Sequence, residues 1–268
     1  MTKSPTDEAS LPQEPGDNYV QSFARGLEVI RSFSAESQRQ TLTEVAERTG
    51  LTRAGARRIL LTLHTLGYVR HDGRLFQLSP RILDLGFAYL SSLPFWNLAE
   101  PVMEKLVADV KESCSAAVLD GTDIVYVLRV PTQKIMSINL GVGSRLPAYC
   151  TSMGWMLLAG LPEDELRTRL IQSKPMARTP KTKVSVEDLM DCIAQIRQQG
   201  WSQVDQELEE GLISMAAPIR DRNGTILAAL NISGQANRTS ASVMQERMLE
   251  PLLAAASSIS KMLGRQHF

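Results

Sequence analysis

The sequence predicts an α+β protein in which a small, mainly helical N-terminal domain precedes a larger domain with a mainly antiparallel sheet. Three observations predict it. Apolar residues recur at three- and four-residue steps up to residue 66, and helical and strand patterns alternate beyond residue 94. Asp-Gly and Asn-Gly pairs separate runs that read as hairpin strands. With 268 residues the chain is long enough for two domains.

The first residues, 1–18, predict a disordered tail, because Pro, Ser, Asp and Glu dominate them and large apolar residues are nearly absent. The small domain is predicted at 19–79. It begins with an amphipathic helix, in which Val20, Phe23 and Leu27 mark the apolar face.

A helix, a tight turn and a second helix follow within this domain. Leu42 and Val45 mark the apolar face of a short helix, Gly50 is the left-handed residue that ends it, and Thr52 caps the next helix. The buried stripe of that second helix comprises Ala56, Ile59, Leu60, Leu63 and Leu66. The pattern is that of a helix-turn-helix motif, whose second helix enters the major groove of DNA.

Arginines lie on the exposed side of that second helix. Arg53 and Arg57, one turn apart, are predicted to contact base edges, and Arg58 to contact either phosphate or its own domain. A hairpin around Asp72-Gly73 follows and forms a wing. The predicted DNA-binding residues of the helix and the wing are Thr52, Arg53, Ala54, Arg57, Arg58, Arg70 and Arg74.

The charge distribution agrees with a nucleic-acid partner. Residues 19–83 contain ten arginines and five acidic residues, a net charge of +5, so the remainder carries −5 because the whole chain is neutral. No apolar run approaches the ~20 residues that span a bilayer, and no leader pattern begins the chain. The sequence therefore predicts a cytoplasmic protein with no membrane contact.

A linker helix is predicted at 80–93, with Pro80 in its first turn, and the larger domain at 94–268. Within the larger domain, helices are predicted at 100–111, 151–159, 185–200 and 243–263, and strands at 115–119, 124–130, 135–140, 212–219 and 225–232.

Candidate ligand contacts are fewer and less specific. At 149–154 a polar loop meets a helix N-terminus, whose free N–H groups attract a carboxylate, although a plain capped helix is the simpler alternative. Arg129, at a strand end, supplies a countercharge or forms a surface ion pair. Asp205, Glu207 and Glu209 would share one side of an extended segment.

Metal binding and catalysis are poorly supported. No histidine lies near the acidic segment, and the three cysteines are too far apart in sequence for a disulfide framework or a Cys-x-x-Cys site. No nucleophile elbow or phosphate loop is present. The sequence therefore predicts no metal, no cofactor and no enzyme.

With these residues in view, the chain resembles the IclR family of bacterial transcriptional regulators along nearly its whole length after the tail. Within the family it resembles the branch that controls catabolism of protocatechuate, 4-hydroxybenzoate and β-ketoadipate. Two positions depart from that branch, since Trp155 stands where Arg or Lys is usual and Gly55 where Ala or Thr is. The segments that carry the resemblance are 51–58, 126–132, 143–154, 205–212 and 228–233.

The resemblance implies a winged helix-turn-helix domain that binds double-stranded operator DNA, a linker helix that dimerises, and a GAF-like effector domain that pairs dimers into tetramers. It also implies a pocket for a small aromatic or dicarboxylic acid such as protocatechuate, 4-hydroxybenzoate or a β-ketoadipate-like acid. The residues expected to bind this effector are Arg129, Ala148, Tyr149, Cys150, Thr151, Ser152, Met153, Asp205, Glu207, Asn231 and Ser233.

The predicted function is that of a ligand-responsive activator or repressor that binds its operator as a homodimer or tetramer. Two alternatives stay open. The acidic residues of 205–210 favour a ligand-binding enzyme with an accessory domain. The other alternative is a constitutive DNA-binding protein whose larger domain only oligomerises.

Overall fold

The computed structural model describes residues 16–132 and 140–265, which form two compact units that divide between Ser92 and Leu93. The predicted tail up to residue 15 and all but the last residue of the strand predicted at 135–140 lie outside the described residues. No helix in the described part of the chain is long and apolar enough to cross a membrane.

The N-terminal unit is mainly helical, with a small antiparallel sheet. Its helices are α1 (Gln21–Arg31), α2 (Leu42–Thr49), α3 (Arg53–Thr65) and α4 (Leu83–Leu90), with short 3-10 helices at Ala35–Ser37 and Pro80–Ile82. Its strands are β1 (Gln40–Thr41), β2 (Val69–His71) and β3 (Leu75–Leu78), in the order β1-β3-β2. Strand β1 was not predicted, because two residues are too few to show an alternating pattern.

Local signals in the sequence account for the helix boundaries of this unit. The Thr41 side chain and Glu44 form a capping box at the start of α2, and Gly50 ends that helix at a φ of 64°. The Thr52 hydroxyl accepts the Gly55 N–H at 3.1 Å and caps α3. The helices and the hairpin enclose a core of Val29, Val45, Ala46, Ala56, Leu60, Leu63, Val69 and Phe76.

The C-terminal unit is an α+β domain built on one antiparallel sheet, which confirms the predicted fold class. Its helices are α5 (Trp96–Val110), α6 (Ser152–Leu158), α7 (Glu163–Ser173), α8 (Val186–Gln199) and α9 (Ala241–Arg265). Its strands are β4 (Ser113–Asp120), β5 (Asp123–Val130), β6 (Arg145–Pro147), β7 (Ser202–Asp205), β8 (Leu212–Arg220) and β9 (Ile226–Gln235). They lie in the order β6-β5-β4-β9-β8-β7.

Several elements differ from the sequence prediction. Helix α5 begins four residues earlier than predicted, because Ala99 and Met103 are buried on either side of Pro101 and extend its apolar face. Helix α7 was missed because only Leu166 and Leu170 of its residues are buried. Strands β6 and β7 are short edge strands, and the sequence around them reads as loop.

Helices cover both faces of the sheet. Ala117, Tyr126 and Ala216 belong to the same core as the buried residues of α6 and α8. The opposite face meets α9, since a Cβ added at Gly234 would lie 3.2 Å from the Met244 side chain. Residues of one strand therefore alternate between a face under α6 and a face under α9.

Candidate functional site

The exposed side of α3 is a cationic surface. Arg53, Arg57 and Arg58 are exposed, whereas Ala56 and Leu60 on the other side are fully buried. Within the described ranges no carboxylate lies within 4.0 Å of any of these three guanidinium groups. The cations are therefore free to pair with phosphates or base edges.

The hairpin between β2 and β3 is held by its own turn. Gly73 has a φ of 93°, and the Asp72 carboxylate accepts the N–H groups of Leu75 at 3.0 Å and Arg74 at 3.4 Å. These hydrogen bonds and an ion pair with Arg39 lower the pKa of Asp72. The predicted wing cations Arg70 and Arg74 are both exposed.

A second candidate site is a small cavity between α6 and the sheet of the C-terminal unit. Its volume is about 20 Å³, which is room for little more than one water, so an organic acid requires the cavity to widen. Six predicted residues line it, namely Cys150, Thr151, Ser152, Met153, Asn231 and Ser233. Six residues that were not predicted also line it, namely Tyr126, Leu140, Val204, Leu208, Leu212 and Ser214.

The sheet beneath the cavity carries a buried polar row, which we define as Ser115, Arg129, Ser214, Asn231 and Ser233. Neighbouring strands pair Ser214 with Ser233, Asn231 with Ser115, and Ser115 with Arg129. Directly opposed residues project to the same face, so the row crosses four strands. Its serines and Asn231 are all less than 9% exposed. Such burial of polar groups calls for hydrogen-bond partners.

A strand irregularity brings Arg129 onto this face. Ala117 pairs with Tyr126 but Ala116 pairs with Leu128, so Val127 has no partner on β4. Tyr126 and Arg129 are three residues apart and would otherwise point to opposite faces. Burial raises the pKa of Tyr126 to about 12, and the charge of Arg129 partly opposes that shift.

Polar groups in the row have hydrogen-bonding capacity to spare. Asn231 Oδ1 accepts the Ser115 N–H at 3.0 Å, and Arg129 Nη1 donates to the Ser115 hydroxyl at 3.4 Å. No carboxylate of the described residues pairs with Arg129, so the surface ion pair considered from the sequence is not formed there. On the opposite wall the Ser152 hydroxyl is buried and finds no partner among the described residues.

The first turn of α6 is closed by its own cap. The Thr151 hydroxyl accepts the Gly154 N–H at 3.2 Å, which is the capped-helix arrangement weighed from the sequence. Gly154 also lies against the preceding loop, since a Cβ there would be 2.1 Å from the Ala148 carbonyl oxygen. Ala148 is therefore behind the cavity wall. Tyr149 is also outside the lining, because its hydroxyl donates to the Met176 carbonyl at 2.9 Å.

The structure corrects the expectation for the acidic segment. Asp205 and Glu207 do not share one side of a strand, because β7 ends at Asp205 and Gln206 has a left-handed φ of 61°. Asp205 pairs with Lys181 and Glu207 with Lys183, each at 2.6 Å. Neither carboxylate lines the cavity. No cluster of His, Cys, Asp and Glu within residues 16–132 and 140–265 could hold a metal ion.

The lining residues that were not predicted differ in whether the sequence contains a signal for them. Ser214 interrupts the apolar pattern of its strand, as the predicted Ser233 does in its own, so this serine signalled a polar position. Tyr126 gave no such signal, because the irregularity at Val127 changes its face relative to Arg129.

Comparison with known proteins matches both units to models of one family. The IclR helix-turn-helix domain matches residues 22–73, and the C-terminal domain of bacterial transcriptional regulator IclR matches residues 87–261. The chain belongs to the IclR family. Its members are transcriptional regulators, so the chain is a DNA-binding transcriptional regulator and not an enzyme.

Similar curated proteins cover most of the chain. The Pca regulon regulatory protein of Pseudomonas putida is 44% identical over 247 residues, which are 92% of this chain and 85% of that protein. The p-hydroxybenzoate hydroxylase transcriptional activator of Acinetobacter baylyi is 32% identical over 92% of this chain and 93% of its own length.

Solved structures share the same fold. A transcriptional regulator from Rhodococcus sp. RHA1 has a TM-score of 0.83 and 49% identity, and covers 91% of this chain and 98% of its own. An IclR homologue from Microbacterium hydrocarbonoxydans, solved with 4-hydroxybenzoate, has a TM-score of 0.80 and 25% identity over 91% of this chain and 100% of that chain.

Proposed function

We propose that this regulator controls genes of aromatic-acid catabolism and responds to a small organic acid bound between α6 and the polar row. The observation that carries the proposal is the buried polar row itself. A sheet face under a helix is normally apolar, whereas this face carries hydroxyl, amide and guanidinium groups with hydrogen-bonding capacity to spare, opposite a buried Ser152 hydroxyl that has no partner among the described residues. A ligand with matching polar groups would satisfy these groups.

The chemistry of the lining specifies the ligand class. Tyr126, Ser152, Ser214 and Ser233 of the lining offer hydroxyl groups that donate and accept. Arg129 is not among the residues that line the cavity, but it lies in the polar row opposite Ser115 and offers guanidinium N–H groups to a carboxylate once the cavity widens. Met153, Leu208 and other apolar residues of the lining suit a ring or an aliphatic chain. Protocatechuate, 4-hydroxybenzoate and β-ketoadipate fit this description, and the relatives named for Pca genes and p-hydroxybenzoate hydroxylase support the same class.

In this proposal α3 lies in the major groove, where Arg53 and Arg57 contact base edges. Arg58 and the wing cations contact phosphates, which fix register without reading sequence. Thr52, which caps α3, and Ala54 in its first turn are exposed beside them. We assign DNA binding to residues 19–79, the linker to 80–93 and effector binding to 94–268.

A homodimer or tetramer is part of the proposal. Two recognition helices about 34 Å apart would read successive major grooves of a palindromic operator. Exposed apolar side chains of the N-terminal unit support self-association. Phe23 on α1 is 68% exposed and Phe87 on α4 is 62% exposed, and a groove of about 740 Å³ runs beside Phe23.

The test is a thermal-unfolding screen of the full chain with protocatechuate, 4-hydroxybenzoate, β-ketoadipate and matched acids without an aromatic ring or second polar group. We expect at least one of the three acids to raise the unfolding midpoint and to change operator affinity. If none changes either quantity while the chain binds its operator, the constitutive alternative is correct and the effector proposal is wrong.

A further inference from the structure

Three residues form a cluster behind the ligand cavity, which we call the Glu207 clamp: Trp155, Lys183 and Glu207. We propose that Lys183 is a positioning residue for ligand binding, because its contacts with Glu207 and Trp155 fix two walls of the cavity relative to each other. The inference rests on the proposed function, since it concerns the affinity of the same site.

The Glu207 carboxylate is almost completely buried from solvent. The residue is 3% exposed, and both of its carboxylate oxygens are bound by Lys183. Lys183 Nζ lies 2.6 Å from Oε1, and the Lys183 backbone N–H donates to Oε2 at 3.1 Å. Among the described residues Lys183 is the one cation paired with Glu207, and a buried carboxylate depends strongly on such a partner.

The same ammonium group covers the ring of Trp155. Lys183 Nζ lies 4.9 Å from the ring centroid, within the distance for a cation–π interaction. Trp155 is 4% exposed, and its indole N–H donates to the Tyr149 carbonyl at 2.6 Å. Lys183 therefore contacts the helix whose first residues, Ser152 and Met153, form one wall of the cavity.

The second wall is attached through the backbone next to Glu207. Val204 and Leu208, on either side of Glu207, line the cavity. The Thr182 hydroxyl donates to the Glu207 carbonyl at 2.6 Å, and the Thr179 hydroxyl donates to the Gln206 carbonyl at 2.7 Å. The segment that carries Lys183 is thus fastened along the outside of this wall.

A neighbouring ion pair provides a matched control. Lys181 and Asp205 are also 24 residues apart and 2.6 Å from each other, but their side chains are 51% and 36% exposed. In the Lys183–Glu207 pair the side chains are 36% and 4% exposed, so one of its two charges is buried. An exposed pair contributes little, because water competes for both charges. Loss of Lys181 therefore removes a lysine from the same segment without opening the Glu207 clamp.

The experiment measures binding of protocatechuate, 4-hydroxybenzoate and β-ketoadipate by calorimetry to the full-length chain and to Lys183→Met, Lys183→Arg, Glu207→Gln and Lys181→Met. We expect Lys183→Met and Glu207→Gln to weaken binding of the acid by about tenfold, within the range found for packed networks beside a site. Lys183→Arg should retain most of the affinity, because it restores the charge over Trp155 and Glu207. Lys181→Met should bind as the parent does.

Two further readouts separate positioning from general destabilisation. Operator affinity without acid should be equal in all five proteins. In a Trp96→Phe, Trp201→Phe background, which leaves Trp155 as the one tryptophan of the sequence, the acid should change the emission of the parent but not of Lys183→Met. If Lys183→Met does not fold, acid binding to Glu207→Gln tests the same contact, because this substitution keeps the size of the side chain.

The outcomes distinguish the two proposals. If the parent chain binds an acid and Lys183→Met or Glu207→Gln binds it equally well, the positioning role is wrong and the proposed function stands. Equal losses in Lys183→Met and Lys181→Met also overturn the positioning role. If the parent chain binds none of the acids, the proposed function fails, and the role of Lys183 in ligand binding fails with it.

Discussion

Arg129 lies directly opposite Ser115 in the central sheet, and its guanidinium Nη1 donates to the Ser115 hydroxyl 3.4 Å away. This long hydrogen bond leaves most of the guanidinium donors for another partner. Because Val127 has no partner on β4, the same irregularity brings Tyr126 and Arg129 to one face. The position of the charge relative to the polar row follows from this one feature of β5.

Replacing Arg129 with Met should weaken binding of the acid effector by about 1.5–3 kcal/mol, the usual effect of losing a hydrogen bond to a charged group. Operator affinity in the absence of acid should not change. Calorimetry with the acid identified in the screen measures the loss. Arg145→Met is the control, because Arg145 is an exposed arginine that pairs with Asp120 and Asp123. Equal affinity in Arg129→Met and the parent chain would remove Arg129 from the site.

Replacing Arg57 with Ala should weaken operator binding by roughly 1–3 kcal/mol if the side chain reads a base. The reason is that Arg57 is exposed on α3 and has no carboxylate partner in the described residues. Titration of labelled operator at several salt concentrations measures both the affinity and its salt dependence. Arg222→Ala, an exposed change in the other unit, should leave both unchanged. An Arg57→Ala protein with unaltered affinity and salt slope contradicts the proposed interface.

Replacing Gly154 with Ala should destabilise the C-terminal unit by about 1–3 kcal/mol or more, because the new methyl group would overlap the backbone. Its ideal position is 2.1 Å from the Ala148 carbonyl oxygen and 2.4 Å from the Ala148 Cα. Chemical unfolding gives the free-energy difference. Gly141→Ala is the matched control, since nothing lies within 4 Å of a Cβ there. Equal stability of the two variants would mean that the loop carrying Ala148 can move aside to accommodate the new methyl group at no cost.

The three cysteines should react very differently with a thiol reagent in the native protein. Burial raises the pKa of Cys150 to about 12 and that of Cys114 still further above its usual range. Cys192 is only partly buried. Labelling at pH 8 should therefore modify about one thiol per native chain and three in the denatured chain, and mass spectrometry should place the first label on Cys192. Rapid native labelling of Cys150 would contradict the closed cavity.

The contribution of Asp72 to the wing should depend on pH. Hydrogen bonds from the N–H groups of Leu75 and Arg74 lower its pKa in the folded state. Because the pKa is lower in the folded state, the Asp72 carboxylate stabilises the fold at pH values above the pKa of an unperturbed aspartate, about 3.9. This stabilisation is lost as the pH falls through the folded-state pKa. Asp72→Asn keeps the turn preference and removes the charge.

Asp72→Asn should thus lower the urea unfolding midpoint at pH 7 and make a smaller difference at pH 3. Asp191→Asn, an exposed change on α8, is the comparison at both pH values. If the difference in unfolding midpoint between Asp72→Asn and the parent is larger at pH 3 than at pH 7, the Asp72 charge is not the source of the stabilisation.

Local patterns in the sequence predicted the helix-turn-helix and the wing of the N-terminal unit, but not strand β1 or the exposure of Val20, Phe23 and Leu66, which were assigned to apolar faces. The 3.6-residue period of α3 places Ala56 and Leu60 inside and Arg53 and Arg57 outside, and this depends only on the helix itself. Gly50, Thr52 and the Asp72-Gly73 turn act on their immediate neighbours, so their effects could also be predicted from sequence.

Only the tertiary structure decided which side chains meet at the ligand cavity. Ser214 reaches the polar row through strand pairing, Tyr126 through the irregularity at Val127, and Glu207 is removed from it by the left-handed Gln206 and by Lys183, 24 residues away in sequence. Register between strands and ion pairs across loops are set by packing of distant segments. Helix periodicity and turn residues act on their sequence neighbours. The face that a strand residue occupies depends instead on strand pairing, because one extra residue such as Val127 moves the following residues to the other face.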